Sequence, residues 1–232
     1  MRLDRFLSQA TGMSRKEVTR LLKRETITVD GVAQKRGAFQ VPEGATVFWD
    51  DTRLELPGPT YLMFNKPAGC VCANDDPMHR TVFSYLDLDR PNFDKLHTVG
   101  RLDLETSGLL LITDDGQWSH RITSPRRQCL KVYRAWLADP VTETDVSAFA
   151  EGLQLRNETA LTAPAKLEII AEREALVHIH EGRYHQVRRM FAAVGNKVEQ
   201  LHREQVGTLK LDADLAPGEY RSLTTEEVAS FY

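Results

Sequence analysis

No stretch of these 232 residues stays apolar for the roughly 20 positions that a bilayer-spanning helix needs. The opening Met1-Arg2-Leu3-Asp4-Arg5-Phe6 also lacks the apolar centre of a secretory signal. A protein that stays out of the membrane and in the cytoplasm is expected. Cysteine is scarce. Cys70, Cys72 and Cys129 are odd in number, and Cys70-Val71-Cys72 lacks the two-residue gap of common zinc and redox motifs, which points to a reducing cytosol. No glycine-rich loop of the nucleotide-cradling type is present. Of His79, His97, His120, His178, His180, His185 and His202, only His178 and His180 stand close together, on a strand and so on one side of it. Neither a metal nor an organic cofactor is expected. Internal repeats and low-complexity segments are absent as well.

What charge there is lies unevenly. The net charge of -3 divides into nine Lys and Arg against six Asp and Glu over residues 1 to 50, net +3, leaving 21 against 27, net -6, for residues 51 to 232. A basic piece on an acidic body suits a polyanion-gripping appendage. Leu3, Phe6, Leu7 and Ala10 fall at i, i+3, i+4 and i+7, and Val18, Leu21 and Leu22 repeat the pattern, so two short helices open the chain. Ser14 and Glu17 have the spacing of a capping box. On the second helix Lys16, Arg20 and Lys23 lie opposite the apolar residues and form a cationic face, which is either a solvated surface or an RNA contact. Thr26 to Val29 reads as a strand, Asp30-Gly31 as a tight turn, and Val41 to Trp49 as a further extended piece. With Arg2-Leu3-Asp4, Ser14-Arg15 and Val29-Asp30-Gly31, the segment resembles the small RNA-binding domain named after ribosomal protein S four. That resemblance favours RNA contact.

Pro57-Gly58-Pro59 marks a linker, giving an S-four-like domain over residues 1–55, a linker over 56–60 and a body over 61–232. In the body, strand-like runs at Tyr61 to Asn65, Leu109 to Thr113, Lys131 to Leu137, Lys166 to Ile170 and Leu176 to Ile179 alternate irregularly with helical stretches. The fold class is therefore α+β, a mixed or antiparallel sheet body with a small amino-terminal α/β domain.

Four segments of the body carry the unusual residues. Asn65-Lys66-Pro67 ends a strand and reads as a structural turn, its proline stopping the ladder. Gly100-Arg101-Leu102-Asp103 is a glycine-bounded loop feeding the apolar run Gly108 to Thr113. A carboxylate kept beside an arginine there is either a held nucleophile or a structural pair. Lys131-Val132-Tyr133 sits on a strand. Glu181 to Met190 enters a helix on which Val187, Met190, Phe191 and Val194 form the buried stripe, while His185, Arg188 and Arg189 point away from it. Glu105 near Asp103 leaves a glycosidase-like carboxylate pair as a lesser possibility.

Gly100-Arg101-Leu102-Asp103 with Thr106-Ser107-Gly108-Leu109, then Lys131 and Tyr133, then Gly182-Arg183-Tyr184-His185-Gln186-Val187-Arg188, then Leu201-His202-Arg203 occur in this order. In this the chain resembles the pseudouridine synthases, in particular the RsuA family. Asp114 to Arg121 and Leu215 to Arg221 resemble its members acting on small-subunit (16S) ribosomal RNA.

The resemblance implies an isomerase that needs no cofactor. Asp103 would be the nucleophile or ribose-side base, paired with Arg188, and Tyr133 would stack on the extruded uracil. Arg101, Arg183 and Arg203 are expected at phosphates, and Leu201 in the pocket wall. The expected partner is ribosomal RNA, free or in an assembly particle, bound by a monomer. Two alternatives stay open: the same chemistry on large-subunit ribosomal RNA, and a non-catalytic RNA-binding or assembly protein.

Overall fold

The structure, a computed structural model, describes residues 1–87 and 93–232. Its described residues divide into a unit of Met1–Pro59 with residues 93–95 and a unit of Thr60–Asp87 with Leu96–Tyr232.

In the first unit the amphipathic periods become helices α1 (Leu3–Thr11) and α2 (Arg15–Arg24). Gly12 ends α1 at φ 74, where its N–H reaches the Ser8 carbonyl. The expected capping box opens α2: Ser14 accepts from the Glu17 N–H, and Glu17 accepts from the Ser14 N–H. Leu3, Leu7, Val18 and Leu22 pack on Ile27 and Val47, while Lys16, Arg20 and Lys23 stand exposed. The sheet of β1 (Ile27–Val29), β2 (Val32–Ala33), β3 (Val47–Trp49) and β4 (Thr52–Leu54) has the order β2-β1-β3-β4. Asp30 and Gly31, both at positive φ, make the first hairpin turn.

The extended piece expected from Val41 is shorter, because Pro42 has no N–H for a ladder and the Ala45 N–H folds back to its carbonyl. Thr52–Leu54, short and polar, joins the sheet through a turn at Asp50, whose φ is 47.

The second unit holds β5 (Tyr61–Lys66), β6 (Cys70–Val71), β7 (Arg80–Thr81), β8 (His97–Thr98), β9 (Thr106–Thr113), α3 (Gly116–Thr123), β10 (Lys131–Leu137), α4 (Glu143–Glu151), β11 (Lys166–Ala171), β12 (Glu174–Ile179), α5 (Gln186–Ala193), β13 (Val198–Val206), β14 (Leu209–Lys210), β15 (Tyr220–Ser222) and α6 (Thr225–Ala229). Its main sheet runs β11-β12-β10-β13-β9-β5-β15, with β8 on β9 and β14 on β13. The β13–β9 pair is parallel and its neighbours are antiparallel, so the sheet is mixed.

Strands β5 and β9 are buried almost throughout, which is why they read as unbroken apolar runs. Met63, Leu109, Leu111, Trp118 and Ile122 form the core there, with Trp118 edge-on to Tyr61 at 4.9 Å. A second core joins Ala135, Phe149, Val177, Met190 and Phe191, each large side chain contributing roughly 1.5–3 kcal/mol on full burial. Val187, Met190 and Phe191 occupy it as the α5 periodicity predicts, and Val194 packs at its margin. Gly108, at φ 106, lies where β9 meets β13. A Cβ there would sit 2.3 Å from the Arg203 carbonyl oxygen, so the parallel pair tolerates no side chain at this point.

Candidate active site

One row of paired residues crosses four strands. Lys66 of β5 faces Gly108 of β9, Gly108 faces Arg203 of β13, and Arg203 faces Tyr133 of β10. At about 4.8 Å per strand, Tyr133 stands roughly 10 Å across the sheet from β9, the strand into which the Asp103 loop leads. The register shifts between Val132 and Tyr133, where Glu204 of β13 is the extra residue.

The loop is held from beneath by Lys66. This lysine is completely buried, and its ammonium donates to the backbone carbonyls of Thr106 (2.8 Å), Pro67 (3.0 Å), Asp103 (3.1 Å) and Leu104 (3.4 Å). Burial pushes its pKa down, against the opposing pull of Cys70, Cys72, Asp103 and Glu105. Further bonds fix the loop: Gly69 N–H to Leu104 O, Thr106 N–H to Asp103 O, and Leu102 N–H to the Cys72 sulfur at 3.4 Å. Burial raises the pKa of that thiol, keeping it neutral as an acceptor. Lys66 does more than the strand-ending turn expected of it.

The Asp103 carboxylate is 35% exposed, and His185 Nε2 lies 3.4 Å from its Oδ1. His185 precedes α5 in the left-handed region at φ 47. Arg188, expected as the partner of Asp103, instead donates to Val198 O at 3.0 Å and Glu105 O at 3.4 Å. Among the described residues it makes no ion pair with Asp103, because its guanidinium is spent tying α5 to β13 and to the loop backbone.

Tyr133 is half-buried and packs against the α5 core, which also contains Leu201. Its hydroxyl accepts from Arg203 Nη1 at 3.4 Å, while Arg203 Nε donates to Leu109 O at 2.8 Å. Arg203 is only 4% exposed, which corrects the expectation that it meets phosphate: its place in the sheet interior makes it a brace for Tyr133. Arg183 is corrected too. It is bonded to Ala160 O, Leu161 O, Glu158 and Glu181, a network that occupies its guanidinium. Arg101 stands exposed two residues before Asp103. Lys131, on the strand face of Tyr133, donates to Cys129 O at 3.1 Å, and burial lowers its pKa.

The structure thus brings Asp103, His185, Lys66 and the Arg188 contact together, with Arg203 one strand and Tyr133 two strands across the sheet from β9. His185 and Lys66 were not assigned working roles from the sequence. A lysine closing a strand as apolar as Tyr61 to Phe64 was the available signal for Lys66, since a buried ammonium must be satisfied. For His185 the signal was its place in the Gly182 to Arg188 motif, on the side turned away from the buried stripe. Among the described residues no cluster of three His, Cys, Asp or Glu could hold a metal, and no helix is long and apolar enough to cross a membrane.

Comparison with known proteins identifies the relatives of this chain. Residues 60–193 match the RNA pseudouridylate synthase family. Over its whole length the chain is 55% identical to the ribosomal small subunit pseudouridine synthase A of Vibrio cholerae, covering 100% of both. It is 52% identical to the protein of that name in Escherichia coli, covering 99% of each. A crystal structure of a pseudouridylate synthase aligns over 100% of both chains with a TM-score of 0.72 and 45% identity.

Proposed function

The chain belongs to the RNA pseudouridylate synthase family, and on that premise we propose that it converts one uridine of small-subunit (16S) ribosomal RNA to pseudouridine, with Asp103 as the reacting carboxylate. The supporting observation is a partly exposed Asp103 side chain on a loop whose backbone is clamped by a fully buried lysine. The names of the relatives support the choice of the small subunit.

In this reading the target uridine leaves its stack at a cost of a few kcal/mol, repaid by backbone contacts. Tyr133 offers a ring for the uracil, a stack worth roughly 1–3 kcal/mol, and Arg203 holds that ring by its hydroxyl. Asp103 acts as nucleophile or ribose-side base while the bond from ribose to N1 breaks. The base turns and rejoins through carbon five, N1 gains a proton, and carbon five loses one. Atoms and oxidation state balance without a co-reactant. Lys16, Arg20 and Lys23 on α2, with Arg101, supply cations for phosphate. The free thiols suit a cytoplasmic setting.

The test is release of tritium from carbon five of uridine-labelled 16S transcript. Asp103→Asn should keep the fold and RNA affinity while release stops. Release at the unaltered rate would remove Asp103 from the chemistry. Product mapped to large-subunit RNA alone would overturn the substrate.

A further inference from the structure

We propose that Tyr184 and His185 form an aromatic step on which a nucleotide flanking the target uridine stacks, a binding site for substrate RNA separate from the uracil platform of Tyr133. The inference rests on the RNA-modifying reading above.

Tyr184 is 74% exposed, and a single exposed aromatic ring needs no explanation in itself. Its setting differs from a scattered surface residue in three respects. First, its ring lies parallel to the His185 imidazole, with centroids 3.9 Å apart and planes at 17°. One face is thereby covered while the ring stays open to a base on the other side. Second, the imidazole beneath it touches Asp103, with Nε2 3.4 Å from Oδ1, so the step adjoins the carboxylate within reach of the next nucleotide along a strand. Third, the step is rigid. Arg189 donates to Tyr184 O at 3.1 Å and is itself held by Glu158 and by Arg156 O, and the Arg183 N–H is held by Gln186. His185 keeps a left-handed backbone, a conformation that costs about 1 kcal/mol or more and persists where surroundings enforce it. A platform fixed before binding loses little ordering entropy when a base settles on it.

The chemistry selects the ligand. Unstacked bases of single-stranded RNA are bound on tyrosine and histidine faces, and exposed Arg101, two residues before Asp103, supplies a cation for the adjoining phosphate. A base beside an extruded uridine has lost a stacking neighbour, which a ring at this position replaces.

The experiment compares Tyr184→Ala, Tyr184→Phe and the unaltered chain on a fragment of 16S RNA containing the modified uridine. We expect Tyr184→Ala to raise KM about five- to hundredfold, the range of one lost stack, with kcat changed less than about threefold and thermal stability unaltered. Tyr184→Phe should restore KM. With 2-aminopurine placed on either side of the uridine, Asp103→Asn should quench one of the two labels on binding, and Asp103→Asn with Tyr184→Ala should not. An unchanged KM in Tyr184→Ala, quenching of neither label by Asp103→Asn, or quenching that survives the added Tyr184→Ala, overturns the stacking site. If the unaltered chain converts no uridine, the functional reading fails, and the quenching measurement still decides whether Tyr184 stacks a base.

Discussion

Lys66→Met removes the buried ammonium and leaves most of the aliphatic stem in place. Two of the four carbonyls it serves keep backbone donors, Asp103 O from Thr106 N–H and Leu104 O from Gly69 N–H. Among the described residues Pro67 O keeps only the weak thiol of Cys70 at 3.4 Å, and Thr106 O loses its 2.8 Å bond to the lysine. Hydrogen bonds to charged groups contribute about 1.5–3 kcal/mol each, and relief of the ammonium's desolvation, visible in its lowered pKa, offsets part of the loss. The net cost should be about 3 kcal/mol, which for a protein of this size is a fall in Tm of about 6–12 °C. Because the same bonds fix the Asp103 backbone, a displacement near 1 Å should also slow conversion by about a hundredfold. Thermal unfolding at pH 7 and single-turnover tritium release measure the two effects. A variant within 2 °C of the parent Tm and within threefold of its rate would refute the clamp.

The two arginines should separate in salt. Arg101→Ala should lower the slope of log affinity against log salt by about 0.7–0.9, whereas Arg203→Lys should leave the slope alone and cut the single-turnover rate at least about tenfold, because a lysine cannot span Leu109 O and the Tyr133 hydroxyl. His202, bonded to the Ser107 hydroxyl at 2.8 Å, has its pKa lowered by burial from 6.5. The unfolded chain therefore takes up a proton first, so stability contributed by His202 is complete above pH 6.5 and falls on acidification through the window below it. His202→Asn should flatten that part of the curve of Tm against pH, and an unchanged curve would assign the acid sensitivity elsewhere.

What the sequence made legible was local. The Ser14–Glu17 box, the Asp30-Gly31 turn and the α5 stripe are each decided within one or two turns of chain, and each forms as the spacing predicts. What it concealed depends on distant pairing. Lys66 takes its meaning from a loop 37 residues away. Arg203 resembles a surface cation until β13 is seen between β10 and β9, where the parallel pairing with Gly108 seals it in. Arg183 has its donors consumed by carbonyls more than 20 residues back. For Arg183 and Arg203 a basic residue in a polar motif suggested phosphate, and only the tertiary pairing decides which cations are free to meet one.

That distribution of charge bears on how an aspartate is kept reactive. A bidentate guanidinium on the Asp103 carboxylate would aim it, and would also stabilise its negative charge and occupy the oxygens that the proposed reaction needs. Here the positive charges act on the loop backbone instead, Lys66 through the Asp103 carbonyl and Arg188 through that of Glu105. The carboxylate oxygens themselves meet only the looser 3.4 Å imidazole contact among the basic groups described. Position is set through the main chain and the side chain keeps its lone pairs, which is the division of labour that a nucleophile or a proton acceptor requires. Arg203 likewise holds the Tyr133 hydroxyl from within the sheet, so that in the proposed reaction the ring face is left for the base and the polar edge carries the restraint.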